Sequence, residues 1–202
     1  MSSVPPTPRT VEPVTLRGRI VRLEPLALDH VDGLADVGLE PAIWRWTIAR
    51  PATIDDIRRW VETALTNRAA GTEMPFVTIE AATGRPIGST RYMNIVLEHH
   101  RLEIGWTWVA PPWQRSGANR EAKLLQLRHA FDVLGCRRVE FKTDSRNEAS
   151  RNALLGIGAQ FEGIFRNHMV MPEGPMRHSA WYSVIDDEWP AVRERLEASL
   201  AR

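Results

Sequence analysis

Cysteine is almost absent: the single Cys136 among 202 residues excludes an intramolecular disulfide and any metal site built from a cysteine cluster. It follows Gly135 where a helix gives way to a strand, a setting for a buried thiol rather than a nucleophile. Charge of one sign is also lacking. Lys and Arg number 26 and Asp and Glu 25, a net charge of +1, so the basic excess with which proteins hold nucleic acid by its phosphates is missing. No apolar run approaches the ~18 residues of a membrane span, which argues against a membrane partner. The opening MSSVPPTPRTVEP has no apolar stretch of the signal-peptide kind, and its Pro, Ser and Thr read as a disordered lead-in over residues 1–13. The expected compartment is the cytoplasm. His99-His100 has no third ligand at metal spacing, so no metal is expected.

The remainder, residues 14–202, fits one domain. Hydrophobic residues make up 43% and charged residues 25%, the balance of an ordinary globular protein, and a chain of this length buries a core without staples. Val14–Pro25 alternates apolar and charged residues and reads as a strand with a turn at Gly18. Leu28–Leu39 has helical spacing with Asp29 placed to cap it, and a short apolar segment, Ile43–Ile48, carries Trp44 and Trp46. Thr53 opens a second helix that Gly71 closes.

Strands follow at Met74–Glu80, Pro86–Val96 and Arg101–Val109. In the last, simple alternation puts Leu102, Ile104, Trp106 and Trp108 on one face and Glu103, Gly105, Thr107 and Val109 on the other. A helix over Asn119–Leu134, a strand over Arg137–Thr143, a helix begun by the capping box Ser145–Glu148 and ending about Gly156, strands Gln160–Pro172 and His178–Ile185, and a helix Trp189–Leu200 complete the pattern. The expected fold is a mixed α/β sheet with helices on both faces.

Chemistry concentrates in Ile104–Phe131, where a strand ends in Pro111-Pro112, a short loop Gln114–Asn119 follows, and a long helix begins. A loop that feeds straight into a helix exposes backbone N–H groups without partners, and the helix dipole adds positive charge there. Gly117 removes the side chain where an anion must come close. Physical reasoning alone gives a phosphate-type anion site, or a plain strand-to-helix turn. It is not a nucleotide P-loop, because the Gly-Lys-Ser/Thr end is missing.

Val109–Asn119 resembles the coenzyme A motif of the GNAT acyltransferases: a Val, four residues, then Arg/Gln-x-x-Gly-x-Gly/Ala. Gln114 and Gly117 hold the first and central positions, while Asn119 stands where Gly or Ala is usual and Arg115 where many members have Gly. Thr143–Arg151 followed by Gly156–Ala159 is similar to the Asn-x-x-Ser-Arg…Leu-Gly-Ala signature of the RimJ/RimL-type branch. The resemblance runs from Val14 onward. It implies a GNAT-like, mostly antiparallel sheet of six to seven strands, splayed between the fourth and fifth, Arg101–Val109 and Arg137–Thr143.

It further implies an N-acyltransferase that uses acetyl-CoA, or another acyl-CoA such as succinyl-CoA, and a primary amine that attacks the thioester directly. The cofactor contacts would be a backbone N–H of Trp108 or Val109, the loop Gln114, Arg115, Ser116, Gly117, Ala118 and Asn119, and Asn147 and Ser150 beside the thioester and pantetheine arm. Glu103 would be the base, directly or through water. Many members carry a Tyr acid where Leu154 stands here, so Ser150 would protonate the leaving sulfur or simply bond it. Trp44, Arg45 and Trp46 would build the acceptor pocket, with His168 as a second base or acceptor contact. Arg45 or Arg115 could favour a carboxylated acyl group. A homodimer through the terminal strands and helix is plausible by the same analogy. Two rival readings stay open: a non-catalytic acyl-CoA-binding module, and an interaction protein that uses its eight Trp residues at a partner surface.

Overall fold

The structure is a computed structural model that describes residues 10–201; residues 1–9 of the expected lead-in lie outside the described residues. Among the described residues eight strands, numbered β1 to β8 in chain order and bounded below, form one sheet in the order β1-β2-β3-β4-β5-β6-β8-β7. The expected first strand is two, β1 (Leu16–Arg17) and β2 (Val21–Pro25), because the chain reverses between them and they pair antiparallel. That turn is fastened from across the molecule: the Glu121 carboxylate accepts the backbone N–H groups of Arg19, Ile20 and Val21 at 2.9, 2.7 and 2.7 Å.

Next come α1 (Val31–Gly38), the single turn α2 (Pro41–Trp44) and α3 (Ile54–Ala69). Asp29 does not cap α1; a 3₁₀ turn, Leu28–His30, precedes it, and His30 Nδ1 accepts the Ala27 N–H instead. Thr53 caps α3 as expected: its hydroxyl accepts the Asp56 N–H, and the Asp56 carboxylate reaches back to the Thr53 N–H. Strands β3 (Glu73–Glu80), β4 (Pro86–Val96) and β5 (Arg101–Val109) form an antiparallel meander.

α4 (Ala118–Arg128) follows and runs into one wider turn, His129–Val133. Then come β6 (Arg138–Asp144), α5 (Glu148–Ile157), β7 (Gln160–Val170), β8 (Met176–Ile185) and α6 (Trp189–Leu200). The α5 cap is Asn147, whose side chain accepts the Ser150 N–H at 3.1 Å, and not Ser145. Asp144 draws in both the backbone N–H and the guanidinium of Arg146, which keeps Ser145 within the turn. The helix ends at Ile157, with Gly158 at φ +100°, one turn-step later than Gly156.

Two apolar cores sandwich the sheet. One packs α4 and α6 against Leu102, Ile104, Val139 and Phe141; the other packs α1 and α3 around Trp44, Trp60 and Trp108. Strand β5 changes sides between them. Ser89 faces Trp108 and Arg91 faces Gly105, so Thr90 stands opposite both Trp106 and Thr107. This is a bulge, and Trp106 takes φ +50° to make it. Simple alternation therefore fails at its middle: Trp106 and Trp108 pack on the side of α3, while Leu102, Ile104 and Val109 pack on the side of α4. Glu103 consequently shares a face with the tryptophans and not with Val109.

Candidate active site

β5 and β6 are the only parallel neighbours among the described strands, and they pair only from Arg101–Glu103 to Arg138–Glu140. Beyond Glu103 the strands separate, as expected between the fourth and fifth strands of the sequence pattern. The bulge at Trp106 bends β5 just past that point. On the other side β5 stays bonded: the Ala110 N–H donates to the Ile87 carbonyl of β4 at 2.8 Å. The register sets Trp108 opposite Ser89 and Val109 opposite Gly88. Successive strand residues point their backbone groups in opposite directions, so with the Ala110 N–H turned to β4 the Val109 N–H points away from β4, toward the gap. Of the two residues considered for this role, Val109 has the free direction.

The gap leads to the loop before α4. Gln114 Nε2 donates to the Val109 carbonyl at 3.0 Å, and Ser116 Oγ donates to the Trp113 carbonyl at 2.6 Å, tying the loop to the strand end. Arg115 and Gly117 both take positive φ, +61° and +92°, which turns loop N–H groups toward one side in the manner of an anion nest. Ala118 opens the helix, and the first intrahelical bond is that of the Glu121 N–H to the Gly117 carbonyl. A Cβ on Gly117 would stand 3.0 Å from Ile20 Cδ1. Asn119, in the first turn, has a buried Oδ1 with no partner. A helix N-terminus, a bare glycine and an unpaired buried acceptor, all at the end of an open strand gap, fit a phosphate-bearing cofactor with an amide-containing arm.

Glu103 sits where β5 and β6 part, 1% exposed. Its Oε2 accepts Asn94 Nδ2 at 2.7 Å and Lys142 Nζ at 2.8 Å. Lys142 lies over the Trp181 ring, and Trp181 packs edge-on to His168. Glu103, Lys142, Trp181 and His168 thus form a row across β5, β6, β8 and β7 on one face. His168 Nδ1 is 3.0 Å from Ser179 Oγ. Burial, with help from Lys142 and Arg177, lowers its pKa and keeps it neutral near pH 7. An open cleft of about 990 Å³ lies beside it, lined by Phe165–His168 and His178.

The remaining expected residues divide. Trp46 is half-buried at this face: the guanidinium groups of Arg45 and Arg146 lie 4.9 and 5.2 Å from its ring, and its carbonyl accepts Arg177. Trp44 is not there. It is 1% exposed, bonds the Gly38 carbonyl through Nε1 and packs on Trp60 and Trp108 as core. Asn147 and Ser150 stand together at the start of α5, half-buried. Leu154 is buried core, and Cys136 is buried with its thiol pushed up to about 12 by desolvation, which leaves it inert. No group of three metal-ligating side chains occurs among the described residues, and no helix there is long and apolar enough to cross a membrane.

Three cations escaped sequence reasoning. Lys142 is the partner of Glu103. Arg177 is buried between Ser179 and the Trp46 carbonyl. Lys123 is 5% exposed on α4, and burial lowers its pKa to about 7. Only the last left a trace in the sequence, as a charged residue at helical spacing from Asn119 and Gln126 and flanked by the apolar Ala122, Leu124, Leu125 and Leu127.

Residues 21–160 match the family model of the acetyltransferase (GNAT) domain. The crystal structure of a GCN5-related N-acetyltransferase from Brucella melitensis is similar at a TM-score of 0.87 and 36% identity, over 95% of this chain and 88% of that one. The uncharacterized N-acetyltransferase YoaA of Bacillus subtilis (strain 168) is 30% identical over 99 residues, 49% of this chain and 55% of that protein, so the match spans about half of this curated relative. A ribosomal-protein-S5-alanine acetyltransferase from Vibrio fischeri shares the fold at a TM-score of 0.72 over 87% of this chain and 98% of that one, with 18% identity.

Proposed function

Because this chain belongs to the GNAT acetyltransferase family, we propose that it moves an acetyl group from acetyl-CoA to a primary amine by direct attack. The observation that carries this reading is the fork at Glu103: two strands part, a backbone N–H enters the gap, and a buried carboxylate guards the point of divergence. When bound, acetyl-CoA supplies an activated acyl carbonyl. The loop from Gln114 to Asn119 holds its pyrophosphate, with Arg115 and Ser116 shaping the loop and Gly117 and Ala118 offering backbone N–H groups. The Val109 N–H bonds the acyl oxygen, which stabilises the charge that develops there. Asn147 and Ser150 would flank the arm and the sulfur, where the Ser150 hydroxyl would bond the sulfur.

Glu103 takes the proton of the amine, directly or through a water, and Trp46 and His168 line the acceptor side. The acceptor's own pKa decides how hard this is. At pH 7 an α-amino group with pKa ~8 costs about 1.4 kcal/mol to deprotonate, and a lysine near ~10.4 costs roughly 4.6 kcal/mol. The smaller cost favours a protein N-terminus or a small amine of low pKa as the acceptor. The exposed apolar side of β7, with Phe161, Ile164 and Val170, suits a second copy of the chain. Sedimentation of the wild type against Phe161→Lys tests that partner.

Titration calorimetry with free coenzyme A, acetyl-CoA and succinyl-CoA, and with ATP and NADH as controls, tests the cofactor. Micromolar binding of acetyl-CoA that Gly117→Glu abolishes is the expected result. Preference for succinyl-CoA would reassign the acyl group, and failure of every coenzyme A species to bind at hundreds of micromolar would overturn acyl transfer. Turnover of a peptide with a free N-terminus, against an N-blocked peptide carrying lysine, tests the acceptor.

A further inference from the structure

α4 is buried over most of its length, so each polar side chain on its inner side needs a partner. Asn119, Lys123 and Gln126 recur at the spacing of one helical stripe. Asn119 Oδ1 and Gln126 Nε2 are buried without partners. Lys123 Nζ has a single bond, to Thr107 Oγ1 at 2.7 Å. Thr107 meets Thr90 at 2.7 Å and Thr90 meets Gln126 Oε1 at 3.1 Å, so the ammonium ends a chain of neutral groups.

No carboxylate among the described residues pairs with it. Glu121, on its own helix, is turned to the β1–β2 backbone. Glu103 of β5 lies on the other face, bound to Lys142, and Glu140 of β6 is bound to Arg138. His129 and Tyr92, farther along, stack on each other at 5.9 Å. An ammonium taken out of water without an anion is unfavourable, and such a group fits a site where a ligand brings the anion.

The place of the ammonium identifies that ligand. Thr107 belongs to the part of β5 that has left β6, and Phe141, whose ring centroid is 5.8 Å from Nζ, lies just past the last paired residue of β6. Lys123 therefore reaches the strand gap from the side of α4. Resting on the acyl-transfer reading above, we propose that Lys123 is a catalytic residue whose ammonium is the counter-charge for the coenzyme A sulfur. As the amine nitrogen bonds the acyl carbon, the carbon–sulfur bond breaks and its electron pair stays on sulfur. The proton of the amine leaves through Glu103 or water, and Lys123 faces the thiolate until it is released and protonated in solvent. In the free protein burial lowers the Lys123 pKa to about 7, so near neutral pH the group is part amine and part ammonium, and an anion beside it would favour the ammonium.

A counter-charge of this kind makes free coenzyme A bind as a thiolate. An ordinary thiol with pKa ~8.5 is almost wholly protonated at pH 7, so the far-ultraviolet thiolate band reports the effect without turnover. The band is expected when coenzyme A saturates the wild type, and is expected to vanish with desulfo-coenzyme A, with Lys123→Met and with Lys123→Gln. Both variants should still bind coenzyme A by calorimetry, with kcat lowered on the order of 10²-fold and KM for acetyl-CoA little changed. Bound coenzyme A with no thiolate band in the wild type, or an equal band in both variants, overturns the role of Lys123 and leaves acyl transfer standing. Absence of any coenzyme A binding overturns acyl transfer itself, and this proposal with it.

Discussion

The Glu103 carboxylate and the Lys142 ammonium lie 2.8 Å apart at the fork of the sheet, and the carboxylate is 1% exposed. The pair couples β5 to β6 at the last point where the strands touch. Glu103→Gln keeps the shape and can still accept from Lys142, so we expect a kcat loss of roughly 10²–10³-fold with a small change in melting temperature. Lys142→Met leaves a buried carboxylate unpaired except for Asn94, and we expect it to lose about 3 kcal/mol of stability in urea denaturation. A Glu103→Gln enzyme with wild-type kcat would remove Glu103 from the chemistry.

Two neighbouring tryptophans have opposite fates. Trp44 fills the core beneath α3, and Trp44→Ala should cost about 3–5 kcal/mol of stability. Trp46 is half-buried with Arg45 and Arg146 against its ring, and it is the proposed wall of the acceptor pocket. Trp46→Ala should cost less than about 1.5 kcal/mol, because its removal opens no closed cavity, and should raise KM for the amine while KM for acetyl-CoA holds. Thermal melts and steady-state kinetics on both variants separate the roles.

Much of this arrangement is legible in the sequence. Element order and the bare Gly117 at a helix start follow from periodicity and turn chemistry, and the splay between Arg101–Val109 and Arg137–Thr143 follows only from the family resemblance. What is not legible has a common physical cause, the three-dimensional register. A single bulge residue, Trp106, moves Trp106 and Trp108 across the sheet, and no propensity of Trp announces a positive φ. The role of Trp44 depends on a helix of four residues that tucks it under Gly38. Lys142 is an ordinary strand lysine until its register with β5 brings Glu103 within reach. Asn147 caps α5 because Asp144 captures Arg146, a contact between residues too close in sequence for spacing rules to rank.

The Glu121 carboxylate holds three successive N–H groups of the β1–β2 turn, which places Ile20 against Gly117. Hydrogen bonds to a charged acceptor contribute about 1.5–3 kcal/mol each when isolated, though three on one group do not add. Glu121→Ala should therefore lose on the order of 3 kcal/mol in urea denaturation. Gly18 has no room for a side chain, since its Cβ would collide with the same carboxylate and stand 2.9 Å from the Val21 carbonyl oxygen, a contact that remains without Glu121. Gly18→Ala should destabilise Glu121-bearing protein and cost less in the Glu121→Ala background, a non-additivity that a double-mutant cycle reads.

Lys123 should make the protein less stable than its packing allows, and in a pH-dependent way. Burial lowers its pKa from 10.5 to about 7, so between those values the unfolded chain carries a proton that the folded protein does not. Stability of the wild type therefore rises with pH across that window from this group. The penalty is full below pH 7, where both states are protonated and the folded one holds a buried cation, and it is gone above pH 10.5. A difference of this size corresponds to several kcal/mol as an order of magnitude. Lys123→Met removes the charge and keeps the volume, so it should stabilise the protein strongly at pH 6 and little at pH 10. Other groups titrate alike in both proteins and cancel in the comparison. Urea denaturation of the two at both pH values checks this, and an equal difference at pH 6 and pH 10 would mean that Lys123 keeps its proton throughout in the folded protein. A variant more stable yet slower at transfer would show that the protein keeps this buried ammonium for chemistry at a cost in stability.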